Sequence, residues 1–114
     1  MRAVAYLHPR PLTASDALVD IDLDRPVPGP HDLLVKVEAV SVNPVDVKTR
    51  ARTDPDGKPK VLGYDAAGTV ASVGSAVTLF KPGDPVFYAG SNLRQGSDAE
   101  YQAVDERIVG HKPA

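Results

Sequence analysis

Cysteine is absent from the 114 residues, which removes disulfides and thiolate metal sites together. Long apolar runs are also lacking. None approaches the roughly 18 residues that a membrane-spanning helix needs, so no membrane role is expected. The opening MRAVAYLHPR has too short an apolar run for a signal peptide, and no cleavage site follows it. A cytoplasmic protein is the expectation from these absences. Charge of one sign is missing as well: the net charge is −2, with acidic and basic residues interspersed. No basic face rich in aromatics forms, so nucleic acid is not an expected partner. Neither G-x-G-x-x-G nor a Walker motif occurs, and G-x-S-x-G is missing too. Gly68, Gly74 and Gly83 therefore read as turn and packing glycines, and hydrolase chemistry has no support. Internal repeats and low-complexity segments are also absent.

What is present is an ordinary apolar content of 42%, enough for one core, punctuated by 11 Pro and 9 Gly. Glycines and prolines between apolar runs read as turns between short strands. Strands are expected at Met1 to Leu7, at Val19 to Leu23 with its wet acidic face, and at Asp32 to Val42. The small apolar far end of that third strand is expected to run into the interior. Pro26 to Pro30 is a connector. Asn43 followed by Pro44, with Asp46 in the first turn, predicts a short helix reaching Ala51. Thr53 to Lys60 reads as a loop. A strand is expected at Ala67 to Val73, a turn at Gly74-Ser75, and a type II turn at Lys81-Pro82-Gly83-Asp84. Further strands follow at Val86 to Ala89, Ala99 to Val104 and Ile108-Val109, with a loop over Gly90 to Ser97. The sum is mainly β, a small barrel with one or two short helices.

The segments SVNPVD, GYDAAGTVASVGSAV, FKPGDPVF and SDAEYQAVDERIV, in this order, resemble the N-terminal region of the medium-chain dehydrogenase/reductase superfamily. The resemblance covers nearly the whole chain. It implies a GroES-like, partly open β-barrel over residues 1–114, on the substrate side of a cleft. It also implies that a Rossmann nucleotide-binding domain follows downstream. Zinc alcohol dehydrogenases of that superfamily carry Cys where Asn43 stands and His where Tyr64 stands. Their Gly-His-Glu reads here Gly63-Tyr64-Asp65, and their relay hydroxyl position is Val45. The four-Cys structural zinc lobe has no counterpart between Phe87 and Tyr101. An amide and a phenol are poor zinc ligands, so the expectation is no zinc. His8, His31 and His111 lie far apart in sequence. The resemblance then points to the zinc-free quinone oxidoreductases and enone reductases, which use NADPH. A conjugated acceptor spreads the incoming charge, so hydrogen-bond donors can replace the Lewis acid.

On that resemblance the candidate catalytic residues are Tyr64 and Asn43, with Asn43 and Lys48 at the cofactor, and Asn43, Lys48 and Tyr64 lining the substrate pocket. Each has a plainer reading. Asn43 serves equally as an N-cap. Tyr64 either donates a hydrogen bond to the substrate oxygen or fills the space of the lost metal. Asp46 suits the positive end of a helix, and Asp65 suits a structural hydrogen bond. Lys48, Arg50, Arg52, Lys58 and Lys60 form a basic run that either guides an anion or is a solvated face.

Two functions follow. In the first, the chain is the substrate-side domain of a longer NADPH-dependent quinone or enone oxidoreductase, inactive without its nucleotide domain. Its partners are then a small-molecule substrate, its own Rossmann domain and, in the full-length protein, a second copy paired through that domain. The end IVGHKPA falls where the family runs on towards that domain. In the second, it is a stand-alone GroES-like module that binds a ligand or partner without catalysis. A dedicated module should show a polar surface at the docking face, and a domain with a missing neighbour should show an apolar one.

Overall fold

A computed structural model describes residues 1–9, 14–15, 17–42, 46, 48–50, 54–55, 57–90 and 94–112. Three strands, β1 (Arg2–Tyr6), β2 (Val19–Asp22) and β4 (Lys60–Val61), form an antiparallel sheet in the order β2-β1-β4. The other five are β3 (Asp32–Val40), β5 (Asp65–Val73), β6 (Pro85–Ala89), β7 (Tyr101–Asp105) and β8 (Val109–His111). They form a second antiparallel sheet, β7-β3-β5-β6-β8. Residues 98–100 join the two sheets along β1. Ala99 bridges to Ala3, the Val4 amide donates to the Asp98 carbonyl at 2.9 Å, and the Glu100 amide donates to the Arg2 carbonyl at 3.1 Å. Among the described residues neither sheet closes on itself, so the architecture is the mainly β, partly open GroES-like barrel that was expected.

Alternation explains the strands. In β2, Val19 and Ile21 are half-buried while Asp20 and Asp22 face water. In β6, Val86 and Tyr88 point inward while Phe87 and Ala89 point out. The inward set of the larger sheet, chiefly Leu33, Val35, Val70, Val86 and Val104, makes the main core, and Ala3, Ala5 and Val61 make a smaller one. Each fully buried Val or Leu contributes about 1.5–3 kcal/mol. The turn at residues 81–84 is as expected: Gly83 has φ 93° and the Asp84 amide donates to the Lys81 carbonyl at 3.2 Å.

Three expectations are corrected. The small apolar end of β3 does not enter the interior. Its first four residues are buried, but Ala39 and Val40 are exposed. The reason is pairing: β7 covers β3 only from Asp32 to Lys36, while β5 alone continues to Val40. Register shifts at Leu34/Val35 and Val37/Ala39 mark bulges, which turn side chains away from strict alternation. The expected loop up to Lys60 ends in strand, because Lys60 and Val61 pair with Tyr6 and Ala5. Ile108 lies in a 3-10 turn, Glu106–Ile108, rather than in the last strand. The Asp105 side chain accepts from the Arg107 amide and starts that turn, as short capping residues do. Asp46 and residues 48–50 are helical as expected. Asn43, Pro44 and Ala51 lie outside the described residues. No described helix is long and apolar enough to cross a membrane.

Candidate functional site

Between β4 and β5 the chain passes through Gly63 and Tyr64, and this corner organises the site. Gly63 has φ 98°, a region that L side chains rarely adopt. A Cβ there would lie 2.4 Å from Ser97 Oγ and 2.8 Å from Asp98 Oδ1, so the space excludes it as well. The Gly63 amide donates to Asp46 Oδ1 at 3.1 Å, and its carbonyl accepts from the Ser97 amide at 3.0 Å. On the other side, the Gly90 amide donates to the Tyr64 carbonyl at 2.6 Å. The backbone that carries Tyr64 is thus held by the helical segment and by two loops.

Tyr64 is 6% exposed. Its hydroxyl lies 3.3 Å from Thr49 Oγ1. Thr49 belongs to the same helical segment as Asp46, three residues on, where two side chains share one face. The Thr49 carbonyl accepts from the Tyr6 hydroxyl at 3.2 Å. Tyr6 is fully buried at the end of β1. Burial chiefly pushes its phenol above the ordinary value, Tyr64 and Asp54 add to this, and Arg50 opposes it. Asp98 is half-buried behind Gly63, and its carboxyl is pushed up by burial and then by Asp46. Ser97, 1% exposed, has a hydroxyl with no hydrogen-bond partner among the described residues.

The candidates separate as follows. Tyr64 sits at the centre of this cluster. Lys48 is exposed on the helical segment. Asn43, Val45 and Arg52 lie outside the described residues. Asp46 is buried and its carboxylate accepts the Gly63 amide. Asp65 accepts from Ser41 Oγ at 3.2 Å, the structural bond weighed for it. The basic run is not one solvated face: Arg50 is buried, and Lys60 is half-buried with its Nζ donating to the Arg94 carbonyl. Burial lowers the Lys60 pKa. Lys58 is exposed. The histidines have separate neighbours: His8 is 3.3 Å from Asp54, His31 is 3.2 Å from Glu106, and His111 packs on the Phe80 ring at 4.5 Å. Tyr6 and Thr49 were missed. Their signals were faint: the i, i+3 spacing of Asp46 and Thr49, and a Tyr closing the first strand.

The described residues do not fit a catalytic zinc. The Tyr64 hydroxyl is engaged by Thr49, Asp46 is engaged by a backbone amide, and the chain has no thiolate to offer. Among the described residues, no three His, Cys, Asp or Glu side chains converge on a common point. Gly68 and Gly74 are packing glycines, since a Cβ at either would meet the Lys36 or the Gly29 carbonyl. Beside Tyr64 in the chain, Asp65 opens an apolar groove of about 520 Å³. It is lined by Val40, Ala67, Phe87, Ala89 and Ile108, with Ser41 and Asp65 at its polar margin. A second cavity, about 430 Å³, lies by Leu23, Val27, Arg94 and Tyr101 and includes none of the candidate residues.

The strand order and the Gly63-Tyr64-Asp65 corner, with the helical segment behind it, define a GroES-like domain of the medium-chain dehydrogenase/reductase kind. Residues 29–114 match the alcohol dehydrogenase GroES-like domain, and the chain belongs to that family. A zinc-type alcohol dehydrogenase-like protein of Staphylococcus aureus (strain COL) is 47% identical over 113 residues, covering 99% of this chain and 34% of that one. A crystal structure from Rhizobium etli, described as a zinc-dependent alcohol dehydrogenase, superposes with a TM-score of 0.95 at 60% identity. It covers 99% of this chain and 33% of its own. The Escherichia coli quinone oxidoreductase in complex with NADPH gives a TM-score of 0.84 at 25% identity, with 99% and 33% covered. The chain therefore spans about a third of the length of these relatives.

Proposed function

We propose that this chain is the substrate-side domain of an NADPH-dependent oxidoreductase that reduces quinones, enones or related activated carbonyl compounds without catalytic zinc. The nucleotide is held mainly by a downstream Rossmann domain. The observation that supports the reading is a buried phenol, Tyr64, held by Thr49 and followed in the chain by Asp65, which borders an apolar groove. Apolar clefts with a few convergent polar groups are the usual form of small-molecule sites.

NADPH, when bound, supplies a hydride. The work of this chain is to receive the charge that results. Hydride addition to a conjugated carbon sends an electron pair to the carbonyl oxygen. The Tyr64 hydroxyl is the donor for that oxygen, and a proton completes the reduction. A donor preorganised in a water-poor site is worth far more than one in water. Lys48, exposed on the helical segment, is assigned to the cofactor and the substrate pocket, and Asn43 to both and to the reacting oxygen. The zinc in the relatives' names is a property of those proteins. Here the donor set favours hydrogen bonding over a Lewis acid.

The second reading, a stand-alone binding module, calls for a polar docking face. Val40, Phe87 and Ile108 are instead 44–48% exposed around the groove, and Val42 beyond them is 78% exposed. That favours a domain with a neighbour. The test is Tyr64→Phe in the full-length protein, assayed for NADPH-dependent quinone reduction. The expected result is a fall in kcat on the order of 100-fold with KM nearly unchanged. An unchanged kcat makes Tyr64 a filler. Absence of any quinone or enone reduction by the unaltered full-length protein refutes the function.

A further inference from the structure

We infer that Thr49 and Tyr6 are positioning residues that set the orientation and proton of the Tyr64 phenol. The inference deepens the function proposed above and rests on it for its catalytic consequence, but its geometry stands alone. A hydroxyl has one hydrogen to give and two lone pairs to receive with. If Tyr64 is to donate outward to a substrate oxygen, it cannot also donate to Thr49. The 3.3 Å contact between the two hydroxyls must then run from Thr49 Oγ1 to the Tyr64 oxygen. That direction matters chemically. A hydrogen bond received by a phenol stabilises charge on its oxygen and makes its own hydrogen a better donor, as linked hydrogen bonds polarise one another.

Thr49 must itself be held for this to work. Its carbonyl accepts the Tyr6 hydroxyl at 3.2 Å. Tyr6 is 0% exposed and its strand is paired on both sides, to β2 and to β4. β4 ends at Val61, two residues before Gly63 and three before Tyr64. Both ends of the Tyr6–Thr49–Tyr64 chain are therefore anchored to one sheet and its exit, and the helical segment is clasped between them. The second clasp is Asp46, which accepts the Gly63 amide at 3.1 Å. Thr49 thus sits where a small rotation of the helical segment would move the phenol donor. The 3.3 Å separation is longer than an optimal O–H···O bond. Such contacts tighten when ligand binds.

The test uses the full-length protein with Thr49→Val, Thr49→Ser and Tyr6→Phe. The first readout is independent of activity: the titration midpoint of Tyr64, followed by ¹³C-tyrosine NMR and assigned by the signal lost in Tyr64→Phe. Thr49→Val removes the donor to the phenol oxygen and is expected to raise the midpoint. Thr49→Ser restores it, and Tyr6→Phe shifts it in the same direction by less. The second readout is steady-state quinone reduction. Thr49→Val is expected to lower kcat by about three- to tenfold with KM within twofold, the size of one neutral hydrogen bond. An unmoved Tyr64 midpoint in a folded Thr49→Val protein overturns the inference, even if the enzyme is active. A shifted midpoint in a protein that reduces no quinone or enone upholds the positioning and refutes the proposed function.

Discussion

At the scale of single residues, the corner at Gly63 brings two carboxyls together. Asp98 is held above the usual carboxylate range by burial and by Asp46. An acid with a raised folded pKa binds its proton more tightly when folded. Stability is then lost as pH rises from the unfolded value, about 3.9, through the folded one, and the loss is complete above it. Replacing Asp98 with Asn removes the charge while keeping the shape. The expected outcome is a higher urea midpoint than wild type at pH 7, and no difference at pH 3, where both carboxyl states are protonated. Equal gains at the two pH values would show that the effect is packing rather than charge.

At the scale of elements, the 3-10 turn Glu106–Ile108 works as a clasp. Buried Glu106 accepts the Thr78 and Leu79 amides, each at 3.1 Å, and faces His31 Nδ1 at 3.2 Å. Its own amide donates to the His31 carbonyl at 2.9 Å. Burial opposes its charge, but these donors outweigh it and leave its pKa below the usual value. One side chain therefore ties the entry of β3, the loop after β5 and the end of β7. Glu106→Ala leaves two amides unpaired and is expected to cost about 1.5–3 kcal/mol, read as a lower urea midpoint with an unchanged slope. A shift under 0.5 kcal/mol, the usual range for a surface change, would mean that water replaces the carboxylate without cost.

At the scale of the whole molecule, the groove beside Asp65 is the feature that reaches beyond this chain. Phe87 lines it, 48% exposed on the outer face of β6. Apolar patches of this kind mark interaction surfaces. The 114-residue chain alone is expected to associate as its concentration rises, by light scattering, and Phe87→Lys is expected to reduce that association. A wild-type chain that stays monomeric at every concentration tested would favour the self-sufficient binding module.

Much of this was legible from residue order. Apolar runs between turn residues marked six of the eight described strands and touched a seventh at Val109, and Pro82-Gly83 specified its turn. The Gly63-Tyr64-Asp65 motif marked the corner, and the missing cysteine excluded thiolate ligation outright. These are local matters: dihedral preference and inward-outward periodicity are set by neighbours in the chain. The partner of Tyr64 was not legible, because residues 6, 49 and 64 meet only after three separate segments have closed on one another. The exposure of Ala39 and Val40 was hidden for a similar reason. An apolar strand end is buried or bare according to which strands lie beside it, and here β7 stops at Lys36. By itself the sequence determined the kind of barrel and the ligand types it can offer. Only the tertiary structure decided which hydroxyl holds the phenol and which apolar face is left open, because both depend on packing between segments distant along the chain.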